Sequence, residues 1–344
     1  MMNEPLVSNG VPVYNGGDYL EESLRSIQNQ NYQYWECHII NNASTDNTGE
    51  VAQKMVDEDS RFKLHYYDEL YPIAQNWNRT VNHISPDAKY YKLVQADDWI
   101  YENYLSDMIQ IMEENDNVGM CSSYRMNGDE VDCDGLNFYE GPVFNGKELL
   151  RMHLDEKIDI TGSITTLMFR MDTLKQMSFF PKIYDEEDFH FDTLLAYHAM
   201  NLADIGFVFK VLSYTRWHPE ALTSKICIKY NTFLNAKERR LFQFKDYLPE
   251  YQEEYKKHRL SYAYFMTKKK VPIECIRQID FNICASLGRR QNGTGTISAV
   301  IYNFKTEQFE MLTSDNNVLP LIRSGTDFSL VCFSFCTKMP ECYF

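Results

Sequence analysis

Apolar positions in the first two-thirds of the chain alternate between short buried-looking runs and stretches with helical spacing. Residues 6–14 form an apolar stretch closed by the turn Asn15-Gly16-Gly17, which predicts a strand. Leu20, Leu24 and Ile27 then share one helical face, with Asp18 as the expected cap and Glu21 as its capping-box partner. A strand over 35–40 follows, ending in the polar run Asn41 to Asn47. Val51, Ala52, Met55 and Val56 mark a second helix, Phe62, Leu64 and Tyr66 an alternating strand, and Ile73, Trp77, Val81 and Ile84 a third helix. These deliver the chain into a buried strand over 90–94 that runs straight into two adjacent carboxylates, Asp97 and Asp98.

Further on, the pattern predicts a helix over 102–114 and a strand over 118–124, then a turn-rich irregular region over 125–160. A strand over 164–169 is preceded by the small-residue turn Thr161-Gly162-Ser163, which would let a ligand approach the backbone. The acidic run Asp185-Glu186-Glu187-Asp188 opens a helix containing Phe191, Leu194, Leu195 and Tyr197, and a strand over 205–214 leads to Thr215-Arg216-Trp217-His218-Pro219. Repeated strand-helix units imply an α/β fold with a mainly parallel sheet covered on both faces. Such sheets bind ligands beyond the carboxyl ends of their strands, where residues 12–15, 41–46 and 97–98 lie. Past residue 225 the character changes, giving an expected layout of a main domain over 1–225, a helical segment over 226–270 and a small α+β or β-rich extension over 271–344.

Composition narrows the function classes. The 344 residues, 44% hydrophobic and 14% aromatic, supply a sizeable core. A formal net charge of −15 argues against a nucleic-acid face or an anionic membrane surface, both of which need clustered cation. An anionic ligand would have to be held locally, by a metal, backbone amides or a few basic side chains. Nine scattered cysteines without a CxxC pair suit a reduced, cytoplasmic protein, and no apolar run is long enough to span a bilayer.

Adjacent acids at a strand end suit a site for a cation or for hydroxyls, although read alone Asp97-Asp98 is more simply a turn. The acids at 185–188 can likewise be simple helix capping. Taken in order, however, PVYNG (12–16), NNASTDNT (41–48), NWN (76–78), QADDW (95–99), EEDFHFD (186–192) and RWHP (216–219) resemble the inverting glycosyltransferases of family 2 over about residues 5 to 225. The resemblance implies a GT-A (Rossmann-like) fold and transfer of a sugar from a nucleotide-sugar to an acceptor hydroxyl, with Mn²⁺ or Mg²⁺. It places the metal on Asp98 and His218, with Asp97 binding through water or holding the ribose. It makes Asp188, beside Glu187, the carboxylate that takes the acceptor proton. Pro12, Tyr14, Asn15, Asn42, Ser44 and Asn78 fall to the nucleotide, though Pro12 and Tyr14 also fit ordinary turn residues, Asn78 a helix-surface amide and His218 a surface histidine. The chain departs from the family where Asn41-Asn42 stands for an Asp pair and where Gln95 stands for a further Asp.

The expected partners are a nucleotide-sugar donor and a glycan or lipid-linked glycan acceptor in surface polysaccharide or glycan synthesis, with no nucleic acid. The chain is expected not to be transmembrane, to meet a membrane peripherally through its acceptor, and to be a candidate homodimer. Two other readings compete. A nucleotidyltransferase shares this type of sheet but would want a basic Gly-rich loop where residues 12–22 carry only acids. A non-catalytic nucleotide-sugar-binding module is suggested by the Asn41-Asn42 departure.

Overall fold

The computed structural model describes residues 4–154, 158–177 and 191–221, together with four strands within 283–320. The chain divides into two compact units, Met1–Lys225 and Ile226–Phe344. The first opens with β1 (Val7–Val13), α1 (Gly17–Gln28), β2 (Trp35–Asn42), α2 (Thr48–Glu58), β3 (Phe62–Tyr67), α3 (Ile73–Val81) and β4 (Tyr90–Leu93). These strands lie in the order β3-β2-β1-β4, all parallel. Every residue of β1 and β2 is buried, the pattern required of parallel strands covered on both faces. Val7, Val11, Cys37 and Ile39 join a core with Leu20, Leu24 and Ile27 of α1 and Ala52 and Met55 of α2. Gly10 points the other way: a Cβ there would lie 2.7 Å from Thr80 Cβ of α3, so the missing side chain lets α3 lie close on the opposite face.

The second half continues through β5 (Trp99–Ile100), α4 (Tyr104–Glu114), β6 (Val118–Asn127), β7 (Glu130–Asp132), β8 (Val143–Phe144), α5 (Gly146–Leu154), β9 (Met168–Arg170), α6 (Met171–Gln176), α7 (Phe191–Leu202) and β10 (Asp204–Thr215). The sheet runs on as β4-β9-β6-β10-β5. Here β9 is antiparallel to β4 and β6, β10 is parallel to β6, and β5 is antiparallel to β10. The sheet is therefore parallel in its first half and mixed in its second. In the second unit β11 (Ile283–Ser286), β12 (Ile297–Asn303), β13 (Gln308–Thr313) and β14 (Val318–Pro320) form an antiparallel meander. The helical segment expected over 226–270 lies outside the described residues.

Four local expectations are corrected. Helix α1 has no capping box: Asp18 sits inside the first turn, and the Gly16 and Gly17 amides donate instead to Thr48 Oγ1 (3.0 Å) and Asp46 Oδ2 (3.1 Å) of the next loop. The stretch 125–160 is not wholly irregular, because Asn145 accepts from the Glu148 amide at 3.1 Å and starts α5, which buries Leu149 and Leu150. The β-branched run Ile164–Thr166 is a 3₁₀ turn rather than a strand, closed by the Thr166 amide donating to Ser163 O at 2.8 Å. Gly162 takes φ +54, and a Cβ there would meet Cys133 Sγ at 2.5 Å and Arg125 Nε at 3.0 Å, so protein rather than ligand fills that space. Among the described residues, no helix is long and apolar enough to cross a membrane.

Candidate functional site

The loops after β1 and β2 are laced together. Asn15 adopts φ +49, a conformation asparagine tolerates, and its side-chain oxygen accepts from the Thr45 amide at 2.8 Å. Its own amide donates to Ser44 Oγ at 3.0 Å, and the Ser44 amide donates to Asn41 Oδ1 at 3.0 Å. Pro12 is buried within β1, whereas Tyr14 is exposed at the rim. Asn42 is buried and occupied: it donates to Tyr71 O at 2.9 Å and accepts from Tyr71 N at 3.0 Å and Arg79 Nη1 at 2.7 Å. The Arg79 guanidinium lies 4.0 Å from the Tyr67 ring and 3.5 Å from that of Tyr71. Asn76 is buried with its side-chain oxygen lacking a hydrogen-bond partner, and Asn78 beside it is half-buried.

The acidic pair is positioned by strand pairing. A tight turn, with the Asp98 amide donating to Gln95 O at 3.1 Å, feeds β5, and Trp99 and Ile100 pair with Tyr214 and Ser213 of β10. The Trp99 and Tyr214 rings stack 3.8 Å apart at 6°. This register brings residues 97–98 against residues 215–218, more than a hundred positions away in sequence. Asp98 is 2% exposed and accepts from the Arg216 amide (3.1 Å) and from Thr215 Oγ1 (3.4 Å). Asp97 Oδ2 lies 3.1 Å from His218 Nε2, and Arg216 Nε donates to the Asp97 carbonyl at 3.0 Å. Arg216 also pairs with Glu22 and lies 4.9 Å from the rings of Tyr19 and Trp99.

Electrostatics follow from that packing. Burial, and then the neighbouring Asp97 carboxylate, push Asp98 up to about 7. Behind it Arg125, largely buried, donates to Thr215 Oγ1 at 3.1 Å and pairs with Asp132 at 2.7 Å. Asp97 faces His218 at 3.1 Å and Asp98 is the buried acid next to it, taking its hydrogen bonds from the Arg216 amide and Thr215; carboxylates of this kind are the donors that Mg²⁺ or Mn²⁺ takes.

The sequence-derived residues thus fall into three groups. Asp97 meets His218, with Asp98 next to it bonded to the Arg216 amide and Thr215; Asn15 and Ser44 meet in the laced loops; Asn42 belongs to the Tyr71–Arg79 cluster. Asp188 and Glu187 lie outside the described residues. Arg79, Arg125, Thr215 and Lys92 were not singled out beforehand. Only Lys92 carried a signal, as a cation inside the apolar strand YYKLV. It is fully buried, donates to the Thr165 and Leu167 carbonyls and lies 4.3 Å from the Tyr104 ring; burial lowers its pKa well below the ordinary lysine range.

A parallel strand-helix half joined to a mixed half, with paired acids at the junction, defines a GT-A fold. Solved structures agree on the fold: S. aureus TarS in complex with UDP-GlcNAc superposes with a TM-score of 0.61 at 17% identity, over 79% of this chain and 78% of that one. A mannosyltransferase from Pyrobaculum calidifontis, in complex with GDP-Man and Mn²⁺, superposes with a TM-score of 0.52 at 16% identity, over 70% of this chain and 64% of that one. Residues 8–177 match the family model for glycosyl transferase family 2. Among curated relatives, the glycosyltransferase GlyG of Streptococcus pneumoniae is 31% identical over 144 residues, 42% of this chain and 47% of that protein. The matched stretch thus spans about half of GlyG's length.

Proposed function

We propose that the chain is an inverting, metal-dependent glycosyltransferase that moves a sugar from a nucleotide-sugar to an acceptor hydroxyl. The observation that carries this is the junction at β5 and β10, where Asp98 is buried next to Asp97 and Asp97 lies 3.1 Å from His218. Asp98 and His218 would hold the cation, with Asp97 beside them binding through water or holding the ribose. When bound, such an ion acts as a Lewis acid on the leaving diphosphate. The laced loops carrying Pro12, Tyr14, Asn15 and Ser44 serve the nucleotide, with Asn42 and Asn78 behind them. Asn42 acts through Arg79 and the 71 backbone that it fixes.

An acceptor hydroxyl does not ionise at neutral pH, so a base must take its proton as it attacks. Asp188, with Glu187 next to it, is that base. Attack opposite the leaving group inverts the anomeric centre in one displacement, and no covalent sugar-enzyme intermediate forms. The acceptor is a glycan or lipid-linked glycan of surface polysaccharide synthesis, made in the cytoplasm. The family match of residues 8–177 and the nucleotide-sugars seen in the two solved structures support the donor class.

The test is release of nucleoside diphosphate from a panel of nucleotide-sugars and acceptors with Mn²⁺. Asp98→Ala should abolish turnover, and unchanged turnover would remove the metal assignment. Asp188→Asn should keep donor binding by calorimetry and lose transfer. Persistent transfer in that variant would place the base elsewhere.

A further inference from the structure

A second cluster lies away from the paired acids, on the face of β2 and β3 that α3 covers. His38 of β2, His65 of β3 and His83, just after α3, each bring one ring nitrogen within 4.8 Å of the other two. His38 Nδ1 is 3.0 Å from His65 Nε2, and the His65 and His83 rings stack with centroids 3.6 Å apart and planes 23° apart. Two nitrogens bound to one tetrahedral zinc are separated by roughly 3.3 Å. Small rotations of these rings therefore suffice to converge on one point.

The surroundings match those of a ligating imidazole. His38 is buried, and its other nitrogen, Nε2, lies 3.2 Å from Glu36 Oε1. Glu36 is itself anchored by Ser8 Oγ (2.9 Å), the Ser85 amide (2.9 Å) and Lys63 Nζ (2.9 Å). A carboxylate behind one ring nitrogen fixes the tautomer and turns the other lone pair toward an ion. The Tyr67 hydroxyl is 3.0 Å from His83 Nε2, at the cluster's edge. His65 and His83 are only half-buried, which leaves a way in for an ion. Three imidazoles suit zinc or a neighbouring late transition ion rather than the magnesium or manganese favoured by carboxylates.

We propose that His38, His65 and His83 form a transition-metal site, of the Zn²⁺ type, with Glu36 as the positioning residue behind His38. It is separate from the acids of the transfer site. A bound ion would cross-link edge strand β3 to β2 and to the end of α3.

The experiment uses the full chain stripped with chelator and titrated with ZnSO₄ against a chromophoric competitor, in the wild type and in Asp98→Asn. One zinc per chain should bind in both. His65→Gln and His83→Gln should each weaken it at least tenfold and Glu36→Gln about tenfold, as expected of ligands and of a carboxylate behind one. Zinc lost in Asp98→Asn, or affinity unchanged in both histidine variants, would overturn the site. A readout on unmodified protein covers variants that fail to fold. Zinc should protect the half-buried His65 and His83 from diethyl pyrocarbonate, mapped by mass spectrometry, and equal modification of both with and without zinc would also overturn it.

Discussion

Arg79 keeps a permanent charge almost out of water by stacking on Tyr67 and Tyr71 and donating to Asn42 and to the Glu69 carbonyl. Lysine cannot reproduce a planar, forked donor between two rings, so Arg79→Lys should cost about 1–2 kcal/mol in urea unfolding. Asp132 shows the pH consequence of a partner. Burial would raise its pKa, but the Arg125 hydrogen bond and the Cys133 amide outweigh that and hold the carboxyl below the ordinary value of 3.8. Its stabilisation is therefore present above about pH 4 and is lost as the pH falls through the depressed folded value. Asp132→Asn should lower the melting temperature at pH 7 but flatten its fall below pH 4, and parallel wild-type and variant profiles would refute the pairing. At this scale the sequence singled out Asp97 and His218 through the family resemblance, and the fold brings those two side chains within 3.1 Å of each other. Arg79 stayed hidden: its spacing on α3 is that of any helix residue, and only the folded chain brings Tyr67 and Tyr71 around it.

Among elements, the two residues of β5 do more than their length suggests. Trp99 stacks on Tyr214 and so registers the acidic turn against residues 215–218. Trp99→Ala should leave the sheet folded while loosening that register, reducing turnover by roughly tenfold or more, since misplacement of about 1 Å carries costs of that size. Unchanged turnover in a variant whose circular dichroism is also unchanged would contradict this account. Strands β1 to β4 and helices α1 to α4 were legible because continuous apolar runs and helical spacing are local signals. Helix α5 was masked by the Gly and Asn around it, and the 3₁₀ turn at Ile164–Thr166 by its β-branched residues, of which Thr166 accepts from the Ser163 amide while Thr165 accepts from the distant Gln95 amide. The cap of α1 was misplaced because its acceptors, Asp46 and Thr48, come from a different loop.

For the whole molecule, ligand and cation should act together. If the donor bridges the laced loops and the acidic turn through a metal, nucleotide-sugar plus Mn²⁺ should raise the melting temperature more than the sum of the two alone, since only native protein binds. A purely additive shift would argue that the two loop groups serve separate ligands. The parallel half is assembled from neighbours in sequence, but the acidic turn is completed by a strand that arrives more than a hundred residues later. During synthesis, therefore, residues 8–177 can leave the ribosome with Asp98 still lacking the Arg216 amide and Thr215. Closing so long a loop is slow relative to pairing β1 with β2. Refolding followed by tyrosine and tryptophan fluorescence should then show β1 to β4 forming before β5 pairs with β10, so that a nascent chain holds its parallel half well before the turn at Asp98 is complete.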